Sequence, residues 1–299
     1  MLKNIIALLC PILFIACNKK AAPSNTPITN RVVVNKQQQT NLLGHCSISS
    51  LQQAPFNSWF YLQQQNYKPD SSIVKGIEPF IQQTTIEIFL GTWCGDSKRE
   101  VPKMLQVLRM ANIDTSAIRL IFVSSEDSIY KQSPEKEEKG KYIHRVPTFI
   151  VYQKKKEIGR IVESPIVSLE QDLLDILSKK SYEPKYKAIN YWIKYVGNKN
   201  KPLSNKKLEN IAQQLKDLCK NAGELNSYGY VALAQKNTTE AINIFTLNTI
   251  LYPTNDNCFD SLGDAYLNTK NIAKAKEMFQ KALSLNPQNA HAAELLKKL

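Results

Sequence analysis

After Lys3 the chain opens on an apolar run over residues 5–16, too short to span a bilayer comfortably. From Cys17 to Thr40 the pattern turns polar and small, broken by Pro23 and Pro27 and ending near Gln37-Gln38-Gln39, which is the composition of a tether. Structure is expected to begin near Leu42. Trp59, Phe60, Tyr61 and Leu62 predict a short amphipathic helix over 58–65, which Tyr67-Lys68-Pro69-Asp70 breaks, and 73–82 predicts a second. TTIEIFL over 84–90 is β-branched and apolar, as a buried strand should be. A helix is expected directly after Cys94, with Val101, Met104, Leu105, Leu108 and Met110 as its buried stripe and a kink at Pro102. Residues 118–123 predict another strand, 135–140 a mixed-charge surface loop, and 146–152 a turn leading into a strand. Lys154-Lys155-Lys156 marks a hairpin tip, 157–162 the return strand, and 169–178 a closing helix.

Beyond Ser181 the periodicity is helical throughout, and a self-similar repeat appears with a period of 34 residues. Ser227-Tyr228-Gly229 aligns with Ser261-Leu262-Gly263, Ala241 with Ala275, Phe245 with Phe279, Leu251 with Leu285, and Pro253 with Pro287. Small residues at these places let two helices of a hairpin approach, the phenylalanines fill the gap toward the next repeat, and the prolines end the second helix. The register departs at Ala232, which stands where Tyr266 stands one repeat later. The pattern resembles the tetratricopeptide repeat, with units at 222–255 and 256–289. A solenoid needs about three units to be stable, so helices over 184–196 and 205–222 are expected to supply the missing neighbour and 290–299 to cap the far end.

The 299 residues allow two domains of ordinary size. The formal net charge of +13 comes from basic residues spread along the whole chain, which reads as a lysine-rich solvated surface with some attraction to anionic lipid or acidic partners. No nucleic-acid motif accompanies it, so nucleic-acid binding is not expected. Six cysteines are irregularly spaced and offer no metal pattern and no obvious disulfide pair.

Chemistry concentrates at Trp93-Cys94-Gly95-Asp96-Ser97. A cysteine opening a helix faces unpaired N–H groups and the positive end of the dipole, which favours thiolate, the nucleophile of disulfide exchange. Lys98 and Arg99 would add to this and Asp96 would oppose it. Ser97 stands where a second thiol would allow an internal disulfide; it can donate a hydrogen bond but cannot resolve a mixed disulfide. Another thiol must do so, and Cys46, in the segment before the predicted fold, is the best candidate within the chain. Cys219 and Cys258 are expected to pack as small hydrophobes in the helical part. His45 and His144 could join Cys94 only as a poor metal set, so neither metal nor cofactor is expected.

Residues 41–180 resemble the thioredoxin-like superfamily, in particular the lipoprotein thioredoxins of bacterial envelopes. Four ordered features carry the resemblance: Trp93-Cys94-Gly95 between a strand and a helix, Pro102 eight residues after the cysteine, Val146-Pro147-Thr148, and Gly159 on the return strand. It implies an α/β thioredoxin-like domain followed by an all-α tetratricopeptide-like domain over 181–299. It also implies a cis bond at Pro147 that sets the Val146 backbone beside Cys94, ready to pair with an extended substrate chain, and shielding of the site by Trp93. Thioredoxins carry a buried acid six residues before the nucleophile; here that position is Ile88, while Glu87 should face the opposite side of the sheet. The four-residue run from Cys94 also resembles the monothiol glutaredoxin motif, which holds an iron–sulfur cluster, but Trp93 and Pro102 fit thioredoxin better.

Phe14-Ile15-Ala16-Cys17 resembles a bacterial lipobox, with Phe14 where leucine is usual. It implies a signal peptide over 1–16, lipid on Cys17, a tether over 17–40 and an anchor facing the periplasm; Asn18 is compatible with the outer membrane. Multiple acyl chains, at about 0.8 kcal/mol per buried CH₂, would hold the protein firmly. The functional expectation is isomerase- or reductase-like thiol-disulfide exchange through Cys94, with Ser97 and Pro147 completing the reacting site and Trp93, Gly95, Asp96 and Val146 holding thiol- or disulfide-containing envelope proteins. The alternative is a non-catalytic scaffold that binds peptides or proteins. Under either reading the repeats are expected to take a protein or peptide partner.

Overall fold

The computed structural model describes residues 25–197 and 201–299. The expected signal peptide, the lipidation site Cys17 and the first part of the tether lie outside the described residues.

The first described strands are β1 (Arg31–Val34) and β2 (Thr40–Cys46), an antiparallel hairpin in which Val33 lies opposite Asn41. The tether expected to reach residue 40 is therefore corrected: its last third forms a strand and a turn. Three consecutive β-branched valines favour the extended chain. The turn between the strands is tied by Asn35 N–H to Gln39 O at 3.0 Å and by Gln39 N–H to Asn35 Oδ1 at 2.8 Å. Val32 and Val34 remain exposed on this edge strand.

Three helices follow: α1 (Ile48–Leu51), α2 (Asn57–Asn66) and α3 (Ser71–Ile81). Asp70 caps α3 by accepting from the N–H groups of Ser72 and Ile73, which satisfies two donors that a helix start leaves open. Then come β3 (Thr84–Leu90), α4 (Gly95–Met110), β4 (Ile118–Phe122), β5 (Thr148–Gln153), β6 (Lys156–Val162) and α5 (Leu169–Leu177), in the order expected from the hydrophobic pattern. Lys154 and Lys155 both have φ near +55°, as a two-residue hairpin turn requires. The sheet order is β1-β2-β4-β3-β5-β6, with β3 parallel to β4 and the other pairs antiparallel.

The two faces of this sheet are covered differently. Ile86, Ile88 and Leu90 alternate toward the core shared with α1 to α5. Phe89, Ile121, Ile150 and Tyr152 point the other way and meet Val123, Ile143 and Val146 of the segment joining β4 to β5. Glu87, fully buried on this second face, pairs with Lys141 at 2.5 Å and Arg119 at 3.5 Å and accepts from Tyr152 OH at 2.9 Å. The 135–140 stretch is a loop exposed at Glu135, Lys136, Lys139 and Gly140, as its charges predict, but two of its carboxylates turn inward. Glu138 is buried because it accepts from Ser133 N–H and Oγ, and Glu137 is buried where it accepts from the Thr26 hydroxyl. Paired carboxylates can leave water at tolerable cost.

The remaining chain is helical: α6 (Lys187–Tyr191) running into a π-type turn through Val196, then α7 (Asn205–Leu215), α8 (Ala222–Ala234), α9 (Thr238–Leu251), α10 (Asp256–Asn268), α11 (Ile272–Leu285) and α12 (Ala290–Lys298). Helices α8/α9 and α10/α11 form the two aligned hairpins. A Cβ on Gly229 would lie 2.4 Å from the Phe245 ring, and one on Gly263 would lie 2.5 Å from Phe279. The repeated glycine thus exists to let the repeated ring lie against its partner helix. Phe245 also packs with Leu262 and Ala265 of the following hairpin, as the repeat pattern implied. Trp192 of the π-type turn and Ile211 and Leu215 of α7 pack with Leu225, Ile244 and Leu247, so the predicted neighbouring helices do complete the stack.

The helical part rests on the segment that covers the second sheet face. Tyr142 packs into the helical core, and the His144 ring stands edge-on to Tyr186 and Tyr228, with centroids 5.5 and 6.1 Å away. Arg145 donates to Gly223 O at 3.0 Å and Gln132 to Ala234 O at 2.8 Å.

Candidate functional site

Cys94 is the N-cap of α4 and is half-buried. Its own N–H bonds to Gly91 O, and its carbonyl receives Lys98 N–H, so the thiol is held at the helix start by backbone bonds on both sides. The thiol donates to Val146 O at 3.3 Å, and the Val146-Pro147 peptide bond is cis. Cys94, Val146 and Pro147 therefore come together as expected. Trp93 donates from Nε1 to Val123 O at 2.9 Å and faces the Tyr130 ring at 6.3 Å. A Cβ on Gly91 would lie 2.5 Å from this indole, so Gly91 is what lets Trp93 fold back beside the strand end. Gly95 is exposed with open space over its Cα.

Other expected participants are placed differently. Ser97 is buried and accepts from Gly91 N–H at 3.2 Å, which gives it a part in holding the turn before Cys94. Arg99 is clamped by Asp96 and Glu100, each at 2.6 Å, so its charge is matched along its own helix rather than offered to the thiol. Cys46 lies on β2, 1% exposed, and burial pushes its thiol up to about 11. A resolving role for Cys46 is corrected on that ground: a buried, protonated thiol is a poor nucleophile. Cys46 is expected before the fold, but β2 carries it into the sheet opposite Leu120 of β4. Cys219 and Cys258 are buried in the helical part and their thiols are raised by burial. His45 turns Nδ1 to Thr26 O at 2.7 Å and His144 to Tyr142 O at 3.1 Å, so neither is directed at Cys94 by its hydrogen bond. Among the described residues no group of three His, Cys, Asp or Glu is arranged to hold a metal ion.

A groove of about 1290 Å³ lies between the two parts of the chain. Gly223, Asn226, Ser227, Tyr230, Leu233 and Ala234 line it from α8, Asn257, Asp260, Asp264 and Asn268 from α10, and His291 from α12. These are the first helices of the two hairpins and the helix that follows them, and the residues on α8 and α10 recur at the three-and-four spacing of one helix face. Asp127, Ser128, Tyr130 and Arg145 close it from the α/β domain. Tyr230 OH donates to Asp264 at 2.8 Å, and His291 Nδ1 sits 3.0 Å from both Asp260 oxygens. Those carboxylates hold the His291 imidazolium, raising its pKa against burial, the largest opposing influence. Burial raises the Asp264 carboxyl. A smaller cleft of about 370 Å³ flanks Trp93 on its other side, against Val33, Leu42 and Glu126.

Among the groove residues the sequence pointed only to Ser227, and to that one only as a position of the repeat. A signal was present: Gly223 and Asn257, Asn226 and Asp260, and Tyr230 and Asp264 are pairs 34 residues apart. These positions form a polar face between the packing positions of the repeat.

The geometry defines an α/β domain with a mixed sheet joined to a helical-hairpin repeat. The comparisons agree for the second part: residues 258–289 match the family model of the tetratricopeptide repeat. No curated protein matches the chain. Among solved structures, the first TPR of Spaghetti (RPAP3) bound to the HSP90 peptide SRMEEVD is similar at 18% identity, over 38% of this chain and 89% of that one, with a TM-score of 0.27. The chain therefore carries a tetratricopeptide repeat, the kind of unit that suggests a protein or peptide partner.

Proposed function

We propose that this protein binds other proteins by holding a polypeptide segment in the groove between its repeats and its α/β domain. The observation that carries this reading is the polar, aromatic-lined face shared by α8, α10 and α12 and walled on its far side by Tyr130 and Arg145. Amide and hydroxyl side chains such as Asn226, Ser227 and Asn257 can bond to a peptide backbone of any sequence, and Tyr130 and Tyr230 offer apolar area with a polar tip. Short random peptides selected on the full chain and measured by fluorescence anisotropy test it. Ser227→Trp, which fills the groove, should weaken selected peptides by about tenfold or more. Unchanged affinity in a folded Ser227→Trp protein would refute the assignment.

A second reading rests on Cys94 itself: the α/β domain is thioredoxin-like, and Cys94 exchanges disulfides with the bound chain. The half-buried thiol at the start of α4, 3.3 Å from a backbone carbonyl beside a cis-proline, favours it. Ser97 excludes an internal disulfide at this motif, so the reaction is interchange with a partner's thiols. The lipobox-like sequence ending in Cys17 supports an envelope lipoprotein, its folded part in the periplasm and its anchor in the outer membrane. Loss of labelling by an alkyne fatty acid in Cys17→Ser is the expected result; equal labelling would contradict the anchor.

A further inference from the structure

Tyr130 and Arg145 belong to two places at once. Both line the interdomain groove. Tyr130 also packs on Trp93, the neighbour of Cys94, and burial raises its phenol above the ordinary tyrosine range. Arg145 immediately precedes Val146, whose carbonyl receives the Cys94 thiol. Tyr130 and Arg145 thus line the repeat groove with one face and adjoin the neighbours of the thiol, Trp93 and Val146, with the other.

Arg145 is fixed in that position from three sides. It donates to Gly223 O, pairs with Glu163 at 3.5 Å and lies over the Tyr186 ring at 5.0 Å. Its Nε is buried without a hydrogen-bond partner among the described residues, and so is Oδ1 of Asn226 on the facing helix. One lacks an acceptor and the other a donor, and a peptide backbone carries both kinds of group. Neither an aliphatic chain nor a simple anion offers that pair.

We infer that the groove is the substrate channel of Cys94: the repeats seat an extended, cysteine-bearing polypeptide across Arg145 and Asn226, and Tyr130 directs its sulfur to the thiol. This rests on the thiol-exchange reading of Cys94. The Cys94 thiolate attacks one sulfur of a substrate disulfide. The Cys94–substrate S–S bond forms as the substrate S–S bond breaks, and the departing sulfur leaves with the bonding electron pair as a thiolate that water protonates. A second thiolate of the same substrate then attacks the mixed disulfide, forms a new substrate disulfide and returns Cys94 as thiolate. The substrate is neither oxidised nor reduced overall, so no external electron donor is needed.

Two activated mixed disulfides separate this inference from the reading beneath it: thionitrobenzoate on free cysteine, and thionitrobenzoate on the single cysteine of a short polar peptide. Attack by Cys94 releases coloured thionitrobenzoate from either, in full-length protein with the other cysteines changed to serine. The expected result is that the peptide reacts about tenfold faster than cysteine does. Ser227→Trp should bring the peptide rate down to that of cysteine, and Tyr130→Ala should lower the peptide rate by a larger factor than the cysteine rate. Asn226→Ala, a smaller change, should remove part of the advantage. Equal rates for the two probes in the unsubstituted groove, or an advantage that survives Ser227→Trp, would overturn the channel. Failure of the cysteine probe to react at Cys94 would overturn the thiol-exchange reading itself.

Discussion

His144 gives the seam between the two parts of the molecule a defined acid sensitivity. It is 3% exposed, and Tyr142 O, which can only accept, fixes the ring proton on Nδ1. Nε2 is buried without a hydrogen-bond partner among the described residues, and Lys131, Arg145 and Arg160 all oppose a positive charge on the ring. Burial is the largest cause, and together these hold the imidazole at about 3 against an ordinary 6.5. In the unfolded chain the ring takes up its proton as the pH falls through 6.5, while in the folded chain it stays neutral down to about 3. The unfolded state therefore binds more protons throughout that window, and stability is lost as the pH falls across it. Between pH 8 and pH 5 the loss from this one group is about 2 kcal/mol, and it changes little if the folded value is a unit higher. His144→Gln keeps a donor for Tyr142 O and removes the titration. Urea unfolding at the two pH values should show the natural protein losing about 2 kcal/mol more than the variant, other groups being common to both. An equal loss in the two proteins would refute the burial argument.

Three further substitutions test the packing. Glu87→Ala strands Lys141 in a dry site and should cost about 3–5 kcal/mol, whereas replacing Glu87 and Lys141 together by Leu and Met should recover most of it in the same unfolding assay. Gly263→Val sets a branched side chain where Phe279 lies and should cost about 1–3 kcal/mol, read as an earlier loss of helical circular dichroism. Gly91→Ala should displace the indole of Trp93 and shift its fluorescence, with little change in the spectrum of the helical part.

The strands and helices from Thr84 to Leu177 were legible because their periods are clean: alternation in TTIEIFL, three-and-four spacing after Cys94, and a lysine-rich turn between two β runs. The repeats were legible because glycine and phenylalanine recur at the places where helices touch. Long-range polar contacts were not. Nothing local in Glu135 to Gly140 announces that Ser133 and Thr26 will take its carboxylates indoors. Likewise the three valines of Arg31-Val32-Val33-Val34 favour an extended chain, but the polar residues on both sides hid the strand that β2 completes. The motif around Cys94 marked it as the candidate thiol, but did not reveal its surroundings. Asn226 comes to share a groove with Tyr130 and Arg145 only through the docking of α8 on the segment between β4 and β5.

Amide hydrogen exchange, read by mass spectrometry on the full chain with and without its best-binding selected peptide, tests the groove most directly. Bound peptide should slow exchange in α8, α10 and α12 and in the Asp127–Tyr130 turn together, leaving β1 and β6 unchanged. Protection confined to the β1 edge beside the smaller cleft, or no protection on the first helices of the hairpins, would contradict the assignment of the interdomain groove as the polypeptide site.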